Sequence, residues 1–317
     1  MDASLTAEQE ELRAQARAFL ADTPAPDWSR LAELGWTGVS VPEEQGGAGL
    51  GFLEEAVLLE ELGRVLYHGP YFSTVGLVLP ALPPVEQAAV AAGEASWTLA
   101  LGPLVCDLDT AARVAIVGGD GIYELEGFDR ALLRTNDETR PLGVVSGGEA
   151  GRRLAGSEAL PGLRARAFAA LAMEACGVGR RALELAVEYA SGREQFGRPI
   201  GSYQAIAHPL ATTYMELELA RSLALWAAWC VAVGDPLHNN SCLRACFSDA
   251  PCPHTGWERA VSQVEPRQTP DRWLTFWRPG RPTRSDRSPR RRRGRRFSGR
   301  RDRCHRSGAF RECGEKG

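Results

Sequence analysis

Between Ser191 and Gln204 the chain reads SGREQFGRPIGSYQ. Two guanidinium forks (Arg193, Arg198), two amides (Gln195, Gln204) and two aromatic rings (Phe196, Tyr203) sit among three glycines and a proline. A bland connector uses Gly, Ser and Asp. Forked cations, amides and flat rings are groups that hold a ligand; none of them is the carboxylate or imidazole that proton transfer needs. The plain alternative is that the arginines are surface charges and Phe196 is a packing plug.

The flanking sequence sets the frame for these residues. RARAFAALAMEACGVGRRALELAVEYA before the segment and QAIAHPLATTYMELELARSLALWAAWCVAVG after it are rich in Ala and Leu. They read as two long antiparallel helices of a bundle. On the second, Ile206, Leu210, Thr213, Leu217, Ala220 and Ala224 form one apolar stripe, and Pro209 predicts a kink. Upstream, Thr6-x-x-Gln9 forms a capping box ahead of Leu12, Ala16, Phe19 and Leu20. FLEEAVLLEELGR (Phe52 to Arg64) predicts a helix whose Leu53 and Val57 lie apart from a Glu60–Glu61 face, with Gly63 as its C-terminal cap. Gly46, Gly47, Gly49 and Gly51 read as a tight turn, since no Lys-Ser/Thr follows to make a phosphate loop. Between Trp97 and Gly156 the texture turns to TLALGPLV, RVAIVGG and GIYELEGF, which is strand chemistry for about five or six strands.

Charge divides the chain. Of its 317 residues, those up to Asp235 carry 17 Arg, no Lys and 32 Asp plus Glu, so 17 − 32 = −15. The rest carry 19 Arg, 1 Lys and 8 Asp plus Glu, so 20 − 8 = +12. Cys106, Cys176 and Cys230 are widely spaced in the first part, which points to a reducing, cytoplasmic setting. No apolar run is long enough to span a membrane, and the N-terminus MDASLTAEQEE is no signal peptide. Beyond Asp235 the amphipathic period stops, and a disordered Arg/Pro-rich basic tail is expected. RRRRGRR (Arg290 to Arg296) suits an acidic partner, but no nucleic-acid recognition fold accompanies it. Cys242, Cys246, Cys252 and His254 lack standard zinc spacing. The reading favoured by composition is out-of-frame translation of GC-rich DNA from about Leu237 to Ser241.

The first 235 residues resemble the acyl-CoA dehydrogenases. ELRAQARAFLA, LAELGWTGVSVPEEQGGAGLGFLEEAVLLEELGR and SGREQFGRPIGSYQAIAHPLA match three of that family's motifs, in the family's order. The resemblance implies a mainly helical α+β fold. Its parts would be a helical domain (1–94), a short β domain (95–157) and an incomplete helical bundle (158–235), followed by the tail (236–317). It implies α,β-dehydrogenation of an acyl-CoA thioester in lipid metabolism, with hydride transfer to FAD. It also implies a homo- or hetero-oligomer, with an electron-transferring flavoprotein as acceptor. In the family the inter-helix segment grips the FAD of a neighbouring subunit. By position, Arg193 faces the pyrophosphate, Gln195, Phe196, Ile200 and Tyr203 line the adenine end, and Gln204 hydrogen-bonds the cofactor. A guanidinium fork suits a diphosphate, Gly197 and Gly201 allow close approach, and Ser202 at a helix start adds free N–H groups.

Three departures weaken the catalytic reading. The usual C-terminal base and the Gln-x-x-Gly-Gly motif have no counterpart. Where some members place the base on the first long bundle helix, this chain has Ala167, and Glu174, two turns on, reads as a surface partner of Arg180 or Arg181. The usual Thr-Glu-Pro motif is Leu101-Gly102-Pro103. The chain is therefore expected to be impaired alone, or to be the non-catalytic FAD-binding subunit of a heteromer. A bundle short of its last helices would leave the Ile206–Ala224 stripe exposed. Translating the coding DNA in its other two frames from Leu237 onward should yield Gln-x-x-Gly-Gly followed by an amphipathic helix; neither frame doing so would refute the out-of-frame reading.

Overall fold

The computed structural model describes residues 5–234. The basic tail, with its expected disorder and its cysteine and arginine clusters, lies outside the described residues. Helix α1 (Ala7–Asp22) starts at the expected box: Gln9 N–H donates to Thr6 Oγ1 (3.2 Å) and Thr6 N–H to Gln9 Oε1 (3.0 Å). Asp27 caps the short α2 (Trp28–Glu33). The glycine stretch then turns back on residues 38–41: Ala48 N–H donates to Gly38 O, Gly49 N–H to Val41 O and Leu50 N–H to Val39 O. It is a tight turn whose amides are already satisfied by the chain itself.

Helix α3 (Phe52–Arg64) is where the structure departs most from the pattern in the sequence. Every residue from Glu55 to Gly63 is buried, including Glu55, Glu60 and Glu61. Gly63 is not a cap, for the helix runs through it and Val65 ends it. A Cβ at Gly63 would collide with the backbone of Glu174, and one at Gly177 with the carbonyl of Glu60. The two glycines therefore let α3 lie directly against α5 (Leu160–Gly192).

Buried carboxylates persist only when paired, and each has its guanidinium. Glu55 takes Arg166 of α5 and the Ser40 hydroxyl. Glu60 takes Arg221 of α6 (Gln204–Ala232), at 2.5 and 2.8 Å. Glu61 takes Arg17 of α1, at 3.0 and 2.6 Å. Arg64 forks onto Glu184 of α5, at 2.9 and 2.7 Å.

A π-helical stretch (Phe72–Val78) and α4 (Pro84–Ala91) complete the first helical part. Five strands follow: β1 (Trp97–Ala100), β2 (Val105–Cys106), β3 (Arg113–Val117), β4 (Gly121–Leu132) and β5 (Leu142–Gly156). They make one sheet in the order β1-β3-β4-β5-β2, with β1 parallel to β3 and the other pairs antiparallel. Trp97, Leu99, Ala115 and Ile122 of the sheet share one core with α1, α3 and α5.

Helix α6 continues past Pro209. Its expected stripe is not exposed: Leu210 and Leu217 pack on Leu183, Ala186 and Ala190 of α5, and Thr213 and Ala224 are also buried. The two long helices thus cover one another, and the exposed apolar groups of α6 are Tyr214, Met215 and Leu219. No helix among the described residues is long and apolar enough to cross a membrane.

Removing Arg221 should strand the Glu60 charge in the interior. Arg221→Met is expected to cost about 3–5 kcal/mol in chemical denaturation, and the double change Glu60→Leu/Arg221→Met to recover most of that loss. Equal stability of the single variant and the parent would refute the pinning role of this pair.

Candidate functional site

The segment joining α5 to α6 is a small hairpin: β6 (Glu194–Gln195) pairs with β7 (Arg198–Pro199). Two consecutive positive φ angles, 55° at Phe196 and 76° at Gly197, make the primed turn that a two-residue hairpin requires. Phe is a poor residue for that conformation, yet it stands at the tip with its side chain 94% exposed. Ile200 and Ile206 anchor the base of the hairpin against the cluster of α5 and α6 side chains. The Ile200 N–H closes the base on the Arg193 carbonyl (2.7 Å).

Each expected site residue can now be placed. Arg193 follows the last residue of α5 and is exposed, with no carboxylate partner among the described residues. Phe196 is the tip. Ile200 is half-buried and serves the base. Gln204 is exposed at the first position of α6. Gln195 turns its amide onto the Glu194 carbonyl (2.7 Å). Tyr203 donates its hydroxyl to the Gln195 carbonyl (3.0 Å). Ser202 does not cap α6: its hydroxyl goes to Pro199 O (2.7 Å), and Tyr203 holds the cap position. The donor set fits a diphosphate-bearing dinucleotide. The exposed Arg193 guanidinium, Gln204 amide and Phe196 ring lie at the two ends and the tip of one preformed hairpin.

Glu174 is not a surface partner of Arg180 or Arg181. Arg180 pairs with Glu218 and Arg181 with Glu184, whereas Glu174 is held by Arg140, which enters from just ahead of β5. Arg140 also stacks on Phe72, 4.6 Å from the ring centre. Its approach is set by an Asx turn in which Thr139 N–H and hydroxyl both donate to Asp137 Oδ1 (2.9 and 2.7 Å). Beside it lies Asp107, which is 2% exposed, has φ 52° and keeps one carboxylate oxygen without a partner. Burial pushes the Asp107 carboxyl up to about 6, a rise that the nearby Arg140 charge partly offsets. The Leu101-Gly102-Pro103 segment lies in the turn between β1 and β2. The sequence carried one overlooked signal for this cluster, the Asp137-x-Thr139-Arg140 turn.

Comparisons with known proteins bear on the family and the fold. The model of the acyl-CoA dehydrogenase N-terminal domain matches residues 6–89, and that of the C-terminal domain matches residues 165–248. The second match runs past the Leu237–Ser241 boundary expected from composition. IpdE2, an acyl-CoA dehydrogenase of Mycobacterium tuberculosis, is 34% identical over 223 residues, 66% of this chain and 68% of that protein. FadE34 of the same organism is 33% identical over 237 residues, 68% of this chain and 33% of that protein. Among solved structures, a Tcur3481–Tcur3483 steroid acyl-CoA dehydrogenase variant superposes with a TM-score of 0.68 at 28% identity, covering 81% of this chain and 85% of that one. The ChsE4–ChsE5 complex of Mycobacterium tuberculosis gives 0.74 at 21%, covering 87% and 92%, and shares the fold. Helical body, single small sheet and paired long helices define the class as an acyl-CoA dehydrogenase-like α+β fold. The chain belongs to the acyl-CoA dehydrogenase family.

Ionised Asp107 is less favourable in the folded chain than in the unfolded one, whose carboxyl titrates near 3.8. Its penalty is therefore present above about pH 6 and fades as the pH falls towards 4. Relative to the parent, Asp107→Asn should gain about 2 kcal/mol of stability between pH 4.5 and pH 7.5. A difference between the two proteins that stays flat across that range in denaturant titrations would contradict the assignment.

Proposed function

We propose that this chain is a subunit of a heteromeric acyl-CoA dehydrogenase that contributes its hairpin to FAD bound at a subunit boundary and is impaired by itself. The observation that carries the reading is the preformed hairpin, whose exposed Arg193, Phe196 and Gln204 side chains have no hydrogen-bond or ion-pair partner among the described residues. In this arrangement Arg193 forks onto the pyrophosphate, Phe196 covers the adenine end and Gln204 hydrogen-bonds the dinucleotide. When bound, FAD accepts the hydride that leaves the Cβ of an acyl-CoA thioester. An electron-transferring flavoprotein then takes the electrons.

Among the described residues, the two positions considered for the proton acceptor favour the non-catalytic role. Abstraction of the α-proton needs a carboxylate free to take it. Position 167 is a buried alanine, and Glu174 is committed to Arg140. The base then comes from the partner subunit. Two of the similar structures bear paired names, ChsE4–ChsE5 and Tcur3481–Tcur3483. Because the second is a steroid acyl-CoA dehydrogenase variant, CoA thioesters of bulky cyclic acids are the first substrates to try beside simple fatty acyl chains.

The test is co-expression with a catalytic family member. The co-purified complex should retain FAD and reduce a dye on addition of acyl-CoA, while the chain alone should not turn over. Arg193→Ala and Gln204→Ala, each in the complex, are expected to weaken FAD retention about tenfold, equivalent to about 1.4 kcal/mol. Full turnover by the purified chain alone, or unchanged FAD content in both variants, would refute the reading.

A further inference from the structure

Tyr203 was expected to line the adenine, but its neighbours give it other work. The ring carries the Arg198 guanidinium over one face, with the carbon centre 4.0 Å from the ring centroid. Its hydroxyl reaches back to the Gln195 carbonyl on the opposite strand (3.0 Å). Arg198 has no carboxylate partner among the described residues, so the ring is its one described side-chain contact. One residue at the start of α6 thus holds both strands: Gln195 through a hydrogen bond, Arg198 through a cation–π contact.

A hairpin with two residues per strand has too little cross-strand pairing to hold itself in water. This one also carries a Phe in the left-handed region, which adds strain at the tip. Its base is tied down by Ile200, but no apolar packing reaches Phe196, whose side chain is 94% exposed. Something else must keep the tip in register. Ser202 ties its hydroxyl to Pro199 O within the second strand, whereas the Tyr203–Arg198–Gln195 contacts are side-chain ties that bridge the two strands.

Resting on the FAD reading above, we infer that Arg198 and Tyr203 are positioning residues: a clamp that pre-sets the hairpin so that Arg193 and Phe196 meet the dinucleotide already in place. The clamp lowers the ordering that binding would otherwise demand of the loop. It does not itself grip the cofactor. Arg198 lies over the Tyr203 ring, and one face of that ring is thereby covered.

The experiment uses the full chain in its assembled FAD-binding complex, with FAD affinity read by flavin fluorescence. Loop order is read by hydrogen exchange of the peptide covering residues 193–203, with α1–α3 peptides as the folding control. Tyr203→Phe keeps the ring and removes only the hydroxyl; Arg198→Ala removes the cation. Each should weaken FAD three- to tenfold and speed exchange in the hairpin alone. Arg198→Lys, which restores a cation over the ring, should recover most of both. If Tyr203→Phe and Arg198→Ala bind FAD as the parent does, the clamp is refuted while the grip stands. If Arg198→Ala weakens FAD without altering exchange, Arg198 touches the cofactor directly and the clamp is again refuted. If Arg193→Ala leaves FAD affinity unchanged, the grip itself is wrong and the clamp falls with it.

Discussion

Helix α3 has no face left for solvent, and it carries three carboxylates into the interior. That combination constrains the rest of the described chain. Ionised carboxylates buried without partners would cost several kcal/mol each, so three other helices must each bring a guanidinium to a fixed place. Arg17 comes from α1, Arg166 from α5 and Arg221 from α6. Because a guanidinium fork donates to a carboxylate in one plane and at one depth, the two-point pairs Arg17–Glu61 and Arg221–Glu60 set the registry of their helices as well as their proximity. The glycine contacts at Gly63 and Gly177 work at the same crossing. They bring the backbones close enough for the side-chain forks to reach.

The hairpin inherits its position from this arrangement. Its two ends are the last turn of α5 and the first of α6, and both helices are fixed to α3. The contacts of Leu183, Ala186 and Ala190 with Leu210 and Leu217 then fix the spacing of the hairpin's base. A loop placed on two pinned helices is a rigid tool, whereas the same fourteen residues on a free connection would be a tether.

Much of this was legible in the residues. The capping box at Thr6 and Gln9, the span of α3, the strand texture after Trp97 and the two long helices all follow local rules of periodicity and capping, and the structure has them where those rules put them. What was not legible was pairing over long sequence separations. Glu60 and Glu61 look like a solvent face because local pattern treats charge as surface; their arginines lie on other helices, Arg221 as far on as α6. The same holds for Glu174, whose Arg140 arrives across the sheet and not from the next turn of its own helix. The stripe on α6 was read correctly, but its cover was misjudged: α5 packs on Leu210 and Leu217, and Ala224 joins the main core with α3 and α5. In the hairpin, the residue types are the basis of the proposed binding role. Sequence spacing could not separate the groups that face outward from the pair, Arg198 and Tyr203, that face each other.

All the cationic partners in these ion pairs, apart from His68 on Asp109, are arginine, and no lysine occurs before residue 316. A guanidinium keeps its proton at any pH at which a protein survives, while the carboxylates opposite can be neutralised. The helical body is thus asymmetric in its tolerance: moderate alkali leaves every arginine–carboxylate clasp charged on both sides, whereas acid unlocks them. The same absence of primary amines leaves reagents that acylate or cross-link lysine without a side-chain target anywhere in the helical body or the sheet.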